Sequence, residues 1–356
     1  MNKNQIIDIL KTQDEAVIQE LFKKAYQIKQ QHVGSTVFFR GIIEFSNICT
    51  KDCFYCGIRK SNKKVYRFSM TAQDIIRASL WAYEQGYGSI VLQSGERSDE
   101  DFVEFIEDIL LEIKKLTLNK LGITLSLGEQ SFETFKRWFD AGAHRYLLRI
   151  ETSDQNLYKK IHPKGSDHKN RLKCLKMLGE IGYQVGTGVM IGLPFQTYEN
   201  LADDILFFKE WDIDMIGMGP YIVHKDTPLA SLDNNTPETN FMLGLKMIAL
   251  ARIYLKDVNI AATTALQALD PLGREKGLQA GANIIMPNIT PVEYRANYLL
   301  YEDKPCLDEN AAMCRSCLEN RISSIGETIG FCQWGDSPHF FKRKNAGKEK
   351  EKNPLS

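Results

Sequence analysis

From about residue 37 onward, eight short apolar runs alternate with amphipathic segments, and this alternation constrains the fold more than any other feature. The runs are VFFRGIIEF (37–45), SIVLQSG (89–95), ITLSLG (123–128), HRYLLRIET (144–152), QVGTGVMIG (184–192), MIGMGPYI (215–222), NIAATTA (259–265) and NIIMPN (283–288). They are short and rich in Ile, Val and Leu, the pattern of strands buried on both faces. Helical patterns lie between them. Thr71-Ala-Gln-Asp74 resembles a capping box ahead of IIRASLWAYEQG, with Gly86 as the stop. Other helices are expected through 100–117, 131–141, 168–181, 199–211 and 238–255. Strands alternating with helices imply right-handed βαβ crossovers and a parallel sheet. Eight such units match a closed (β/α)8 TIM barrel. A doubly wound open sheet would carry a Gly-x-Gly-x-x-Gly turn after its first strand, and here cysteines follow instead.

The barrel is expected to span 37–304, behind an N-terminal helical extension over 1–36. A C-terminal segment over 305–344 carries a second group of cysteines. The tail from 345, NAGKEKEKNPLS, is polar and charged and is expected to be disordered. Forty-five basic side chains balance 45 acidic ones, so nothing favours a polyanionic partner, nucleic acid included. The opening MNKNQIIDILKTQDEAVIQELF has helical spacing and no apolar signal-peptide core, and no run reaches the length of a membrane span. A cytoplasmic setting is expected. In that setting the eight cysteines point to metal ligation before disulfides.

Chemistry in such a barrel belongs at the C-terminal ends of the strands. The unusual residues fall there: the cysteines after strand one, Gln93-Ser94-Gly95-Glu96 after two, Leu127-Gly128-Glu129 after three, and Arg149 and Glu151 on four. Met190 follows on five, Pro220 and His224 after six, Thr263 and Thr264 on seven, Met286 and Asn288 on eight.

Cys49, Cys53 and Cys56 stand in Cys-x3-Cys-x2-Cys spacing. Thiolates suit zinc or iron–sulfur clusters, and a structural zinc would need a fourth ligand. The nearest histidine, His32, precedes the first strand. A cubane 4Fe-4S cluster on three cysteines leaves one iron open to a ligand. Arg149 and Glu151 interrupt an otherwise apolar strand, a costly arrangement unless paired or ligand-bound. An arginine suits a carboxylate and a glutamate suits ribose hydroxyls. Gly186-x-Gly188-x-Met190-x-Gly192-Leu-Pro194 sets small residues where a backbone must approach a flat ligand. Cys174, in LKCLKML, reads as a small apolar packing residue.

Cys-x3-Cys-x-aromatic-Cys after the first strand resembles the signature of radical S-adenosylmethionine (SAM) enzymes. The resemblance implies Cys49, Cys53 and Cys56 as 4Fe-4S ligands, with the open iron chelating SAM, and Tyr55 beside the adenine. Gln93, Ser94 and Gly95 occupy the place of the family's strand-two motif, which receives the methionine amino group. The wider run through RGIIEFSNICTKDCFYCGIR, IVLQSGE, HRYLLRIET, MIGLP, AATTA and GANIIMPNITP is similar to the HydE family of FeFe-hydrogenase maturases. That similarity implies Gln93, Arg149, Glu151, Arg171 and Met190 around SAM. It implies Arg145, Thr263, Thr264, Met286 and Tyr298 on the substrate side. It further implies an auxiliary 2Fe-2S or 4Fe-4S cluster at Cys306, Cys314 and Cys317, with Cys332 a fourth ligand or a free thiol. The substrate would be a sulfur-containing iron carbonyl/cyanide complex supplied by the maturase HydG, the reductant ferredoxin or flavodoxin, and the setting anaerobic. Two other readings stay open on the residues: a sibling of the methylornithine synthase or biotin synthase type, and a non-catalytic iron–sulfur scaffold. No candidate strand contains a cysteine, unlike those of biotin synthase.

Overall fold

The computed structural model describes residues 1–232, 235–308 and 311–352. Eight parallel strands form the barrel: β1 (Thr36–Ser46), β2 (Ser89–Ser94), β3 (Gly122–Ser126), β4 (Arg145–Leu147), β5 (Gln184–Thr187), β6 (Met215–Ile216), β7 (Asn259–Ile260) and β8 (Ile284–Ile285). They pair in the order β8-β1-β2-β3-β4-β5-β6-β7. A parallel bridge from Ala261 to Ile284 joins the two ends of that order. The barrel implied by the alternation is therefore present. Ile43, Leu92, Leu125 and Ile260 are fully buried in its core.

Several ladders are shorter than the apolar runs that announce them. β5 stops at Thr187 because Gly188 passes the neighbouring chain too closely for a side chain: a Cβ there would lie 2.0 Å from the Gly217 carbonyl oxygen. Pairing resumes as a separate two-residue ladder, Met190–Ile191 with Gly219–Pro220. β4 likewise ends at Leu147, and Glu151 meets Val189 only through an isolated bridge. The upper strand ends thus leave the regular ladder where they border a cavity.

Helix boundaries follow their caps. Helix Ala72–Glu84 begins at Thr71, whose hydroxyl accepts the Asp74 N–H, and Gly86 beyond its end takes φ +76°. In the N-terminal extension, α1 (Lys3–Lys11) opens with a capping box at Asn2 and α2 (Glu15–His32) with Asp14. Both pack against helix Pro237–Leu255. Among the described residues no helix is long and apolar enough to cross a membrane.

The C-terminal segment departs from expectation. Thr328–Ile329 pairs with Thr36 and Val37 of β1, and the chain then crosses the N-terminal mouth of the barrel. Gly335 O accepts from Arg40 Nη2 at 3.1 Å and from Asn259 Nδ2 at 2.8 Å. Ser337 N–H donates to Gln184 Oε1 at 3.0 Å. Arg145, expected on the substrate side, belongs to this floor. It is fully buried, donates to Thr124 Oγ1 at 3.0 Å, and pairs with Asp336 and the Trp334 carbonyl. Side chains on one face of a strand recur every second residue. Arg145 therefore lies one layer below Leu147 and two below Arg149, which do reach the cavity. Cys332 is exposed at this same end, its N–H on the Gly86 carbonyl. Residues 345–352, expected to be disordered, continue helix Pro338–Lys352; Ala346 and the alternating Lys and Glu are good helix formers. The rest of the tail, 353–356, lies outside the described residues.

Candidate active site

A large cavity opens at the C-terminal ends of the strands. Cys49, Cys53, Cys56, Tyr55, Gln93, Ser94, Gly95, Arg149, Glu151, Arg171, Met190, Thr263, Thr264, Met286 and Tyr298 all line it. Every expected cofactor and substrate residue except Arg145 is brought together there. Cys306 borders the cavity as well, whereas Cys317 is exposed on helix Ala311–Ser324 and the Cys314 side chain lies outside the description. His224 does not reach the cavity and instead packs on Gly57, whose hypothetical Cβ would lie 2.3 Å from its ring. Cys174 is buried, with its thiol on the Gln130 carbonyl at 3.7 Å, as a packing residue should be.

The three thiols sit in the loop that leaves β1. Burial pushes Cys53 up to about 11, raises Cys49, and carries Cys56 well above the ordinary thiol range, with Cys53 and Cys49 next in effect on Cys56. Free, all three are neutral thiols, so a bound cluster must displace their protons. Among the described residues no trio of His, Cys, Asp or Glu is placed to hold a single metal ion. The thiols line a wall of the cavity, and a donor set of three soft thiolates fits a cluster with one open site. The loop after β2 presses against them. A Cβ at Gly95 would lie 2.3 Å from Ile48 O and 2.8 Å from Cys49 Cβ, and Glu96 N–H donates to Cys49 Sγ at 3.3 Å. Glycine is thus required at Gly95 for close packing, beyond any role in ligand contact.

Behind the thiols stands a charge network that pattern reading undervalued. Arg171 donates from Nε to Glu129 Oε1 at 2.9 Å and from Nη1 to Arg149 O at 2.7 Å, and lies 3.6 Å from Glu96. Lys51 pairs with Glu96 at 3.1 Å and Glu129 at 2.9 Å. Burial alone would lower Arg171, yet Tyr158, Glu129, Tyr55 and Glu96 hold it well above its usual range. Burial likewise raises Glu96, against the pull of Arg171 and Lys51. Glu96 and Glu129 were visible as strand-end residues, but nothing in their spacing showed that they would share two cations.

Arg149 and Glu151 are both paired and available. Their side chains approach to 3.1 Å, and Arg149 also reaches the Val189 carbonyl at 3.1 Å, while its Nε has no partner. Glu151 takes φ +64°, an unfavourable conformation for a non-glycine residue and one that turns its carboxylate into the cavity. Tyr55 is held from behind: its hydroxyl meets His162 Nε2 at 3.2 Å, and His162 stacks on Tyr158 at 3.8 Å between centroids. Burial lowers His162 to about 4, which keeps it neutral and free to share that contact. Met190 packs with Leu157, Ile161 and Leu193 beneath Tyr55. Also lining the cavity, Glu44 from β1 accepts from Lys304 at 2.5 and 2.6 Å and from Asn288 at 3.1 Å. Glu44 was legible as a charge within an apolar strand; Lys304 carried no such signal.

The Radical SAM superfamily profile matches residues 43–208. The FeFe hydrogenase maturase subunit HydE of Thermotoga maritima is 46% identical over 336 residues, covering 94% of this chain and 93% of its own. The crystal structure of methylornithine synthase (PylB) superposes with a TM-score of 0.80 at 22% identity, covering 93% of this chain and 94% of that one. HydG from Carboxydothermus hydrogenoformans, an FeFe-hydrogenase maturase, gives 0.79 at 20% identity, covering 99% and 83%. At those identities the two structures share the fold. Barrel and cavity together define a radical SAM enzyme, a class that works with a 4Fe-4S cluster and SAM. Within that class the chain belongs to the HydE family of FeFe hydrogenase maturases.

Proposed function

We propose that this chain matures FeFe hydrogenase by radical SAM chemistry on an organometallic substrate held in the barrel. The observation that carries the reading is the convergence of three neutral, unbridged thiols with Arg149, Glu151 and Arg171 in one cavity at the C-terminal strand ends. Cys49, Cys53 and Cys56 would hold the 4Fe-4S cluster, which when reduced supplies the electron that splits SAM into methionine and a 5′-deoxyadenosyl radical. Arg149 and Glu151 orient SAM through its carboxylate and ribose, and Tyr55, backed by His162, fixes the adenine end. Arg171 and Lys51 pair with Glu96 and Glu129 and brace them behind the thiols. The floor built by residues 328–337 excludes water from below.

The substrate on this reading is a sulfur-containing iron complex with carbonyl and cyanide ligands, delivered by HydG, with ferredoxin or flavodoxin as reductant. Thr263, Thr264, Met286 and Tyr298 would face it. Cys306, Cys314 and Cys317 would carry an auxiliary cluster beside the chamber, outside the reaction itself. The test is anaerobic reconstitution with iron and sulfide, reduction with SAM present, and assay for 5′-deoxyadenosine. Product that disappears in Cys53→Ala supports the reading. A fully loaded cluster that neither binds nor cleaves SAM overturns it.

A further inference from the structure

Asp204, midway along helix Tyr198–Glu210, is completely buried, and among the described buried acids it alone has no basic partner. Glu44, Asp257 and Glu327 pair with lysines, and Glu151, Asp214 and Glu275 with arginines. Lys3 goes to the neighbouring Asp203 instead. Burial pushes Asp204 up to about 7, against the pull of its bonds from Ser153. A buried carboxylate without a cation is costly, so stability alone gives no reason for an acid at this position.

What Asp204 holds is the turn behind Glu151. Its Oδ1 accepts both donors of Ser153, the backbone N–H at 2.7 Å and the hydroxyl at 2.6 Å, while Oδ2 has no partner. Ser153 stands two residues past Glu151. The φ of +64° at Glu151 is one that a non-glycine residue keeps only where its surroundings hold it there. On the strand side, Glu151 N–H donates to Gly188 O at 3.0 Å, and Glu151 O accepts from Met190 N–H at 3.1 Å. Asp204 supplies the hold on the other side, where the chain turns toward helix Gln155–Ile161. Neither Asp204 nor Ser153 lines the chamber, so their effect on a ligand must pass through this loop.

We propose that Asp204 is a positioning residue: by tying Ser153 to helix Tyr198–Glu210 it keeps Glu151 turned into the chamber, where Glu151 takes the ribose of SAM. This rests on the reading of Glu151 as the ribose acceptor. The unpaired acid and the left-handed glutamate are then two parts of one device, an anchor and the conformation it maintains.

The test uses the full chain with its cluster reconstituted, dialysed anaerobically to equilibrium against radiolabelled SAM and, separately, L-methionine, which lacks the ribose. Asp204→Leu should weaken SAM by about tenfold or more and leave methionine near the parent value. Asp204→Asn keeps an oxygen acceptor in the same place and should recover most of the loss. The double variant Asp204→Leu with Glu151→Gln should bind SAM no more weakly than Glu151→Gln alone, because both changes break one interaction. Thermal melting identifies a variant that has failed to fold. In that case Ser153→Ala, which removes only the hydroxyl bond, carries the comparison with a smaller loss confined to SAM. Losses that are equal for SAM and methionine, or that add in the double variant, make Asp204 merely structural and overturn the proposal. SAM bound equally by the parent and Asp204→Leu overturns it as well. SAM affinity unmoved by Glu151→Gln sinks the ribose reading and the positioning role together, whereas dependence on Glu151 without dependence on Asp204 sinks only the positioning role.

Discussion

The two mouths of the barrel bury the same kinds of side chain to opposite ends. At the N-terminal mouth Arg145 faces Asp336, Arg40 reaches Gly335 O, and Lys29 meets Glu327 at 2.7 Å with both side chains fully buried. Charges there are answered by other parts of the same chain, although Arg40 Nε and Arg145 Nη2 keep no hydrogen-bond partner. Burial still pulls Lys29 down to about 8 despite Glu327, so even the paired floor is held at a desolvation cost. At the C-terminal mouth Arg149 keeps a free Nε, Arg274 two unpartnered nitrogens, and Thr263 a free hydroxyl. What sets the upper donors apart is that they line the cavity, where a ligand can complete them. A buried charge is thus structural or functional according to what completes it, and residue type alone does not decide.

The strongest test of this contrast removes the anion of the floor. Asp336→Ala leaves Arg145 buried with no counter-charge and Arg40 without the nearby negative field. Stability should fall by about 3–5 kcal/mol, the cost of breaking a buried pair from one side. Urea unfolding measures the loss, and SAM affinity of the folded fraction should stay near the parent value. A variant that keeps its stability but loses SAM would mean that the floor serves the site directly.

The converse change is made at the top. Arg149 is one-third exposed, and its pairing with Glu151 is screened by solvent. Arg149→Met should alter stability by less than about 1 kcal/mol. It should weaken SAM by about tenfold or more, because a charge-assisted contact is lost. Calorimetric titration of the anaerobic, cluster-loaded protein gives the affinity, and unfolding gives the stability. Equal losses in both would erase the distinction between the two mouths.

This contrast also explains what could be read in the sequence. The barrel was legible because short, largely apolar runs alternate with helical patterns, and the cluster loop because three cysteines fall within eight residues. Arg149 and Glu151 announced themselves as charges inside an apolar run. Arg145 shares that run and the same strand face, and only three-dimensional closure by Asp336, far along the chain, tells floor from chamber. Arg274 was hidden for a different reason. It stands among polar residues in GREKG, where burial leaves no periodic trace. The C-terminal segment hid its role because its contacts with the strand starts are largely backbone carbonyls and long-range polar bonds.

The smallest effect concerns how the floor is anchored. His339 sits just after the floor segment, with Asp212 at 2.7 Å and Asp257 at 3.3 Å. Hydrogen bonds donated to Asp212 and Asp257 outweigh burial and raise its pKa from 6.5 to about 9. Lys342 and Arg343 pair with the carboxylates around it, so they hold the anchor in part without it. A folded-state pKa above the unfolded one adds stability that is complete below about pH 6.5 and is lost as pH rises through 9. Partial exposure and the neighbouring cations limit the effect to about 1 kcal/mol. Urea midpoints should therefore fall between pH 6.5 and 9.5, and the slope should flatten in His339→Gln. An unchanged slope in that variant would assign the pH dependence to other groups and leave Lys342 and Arg343 as the whole anchor.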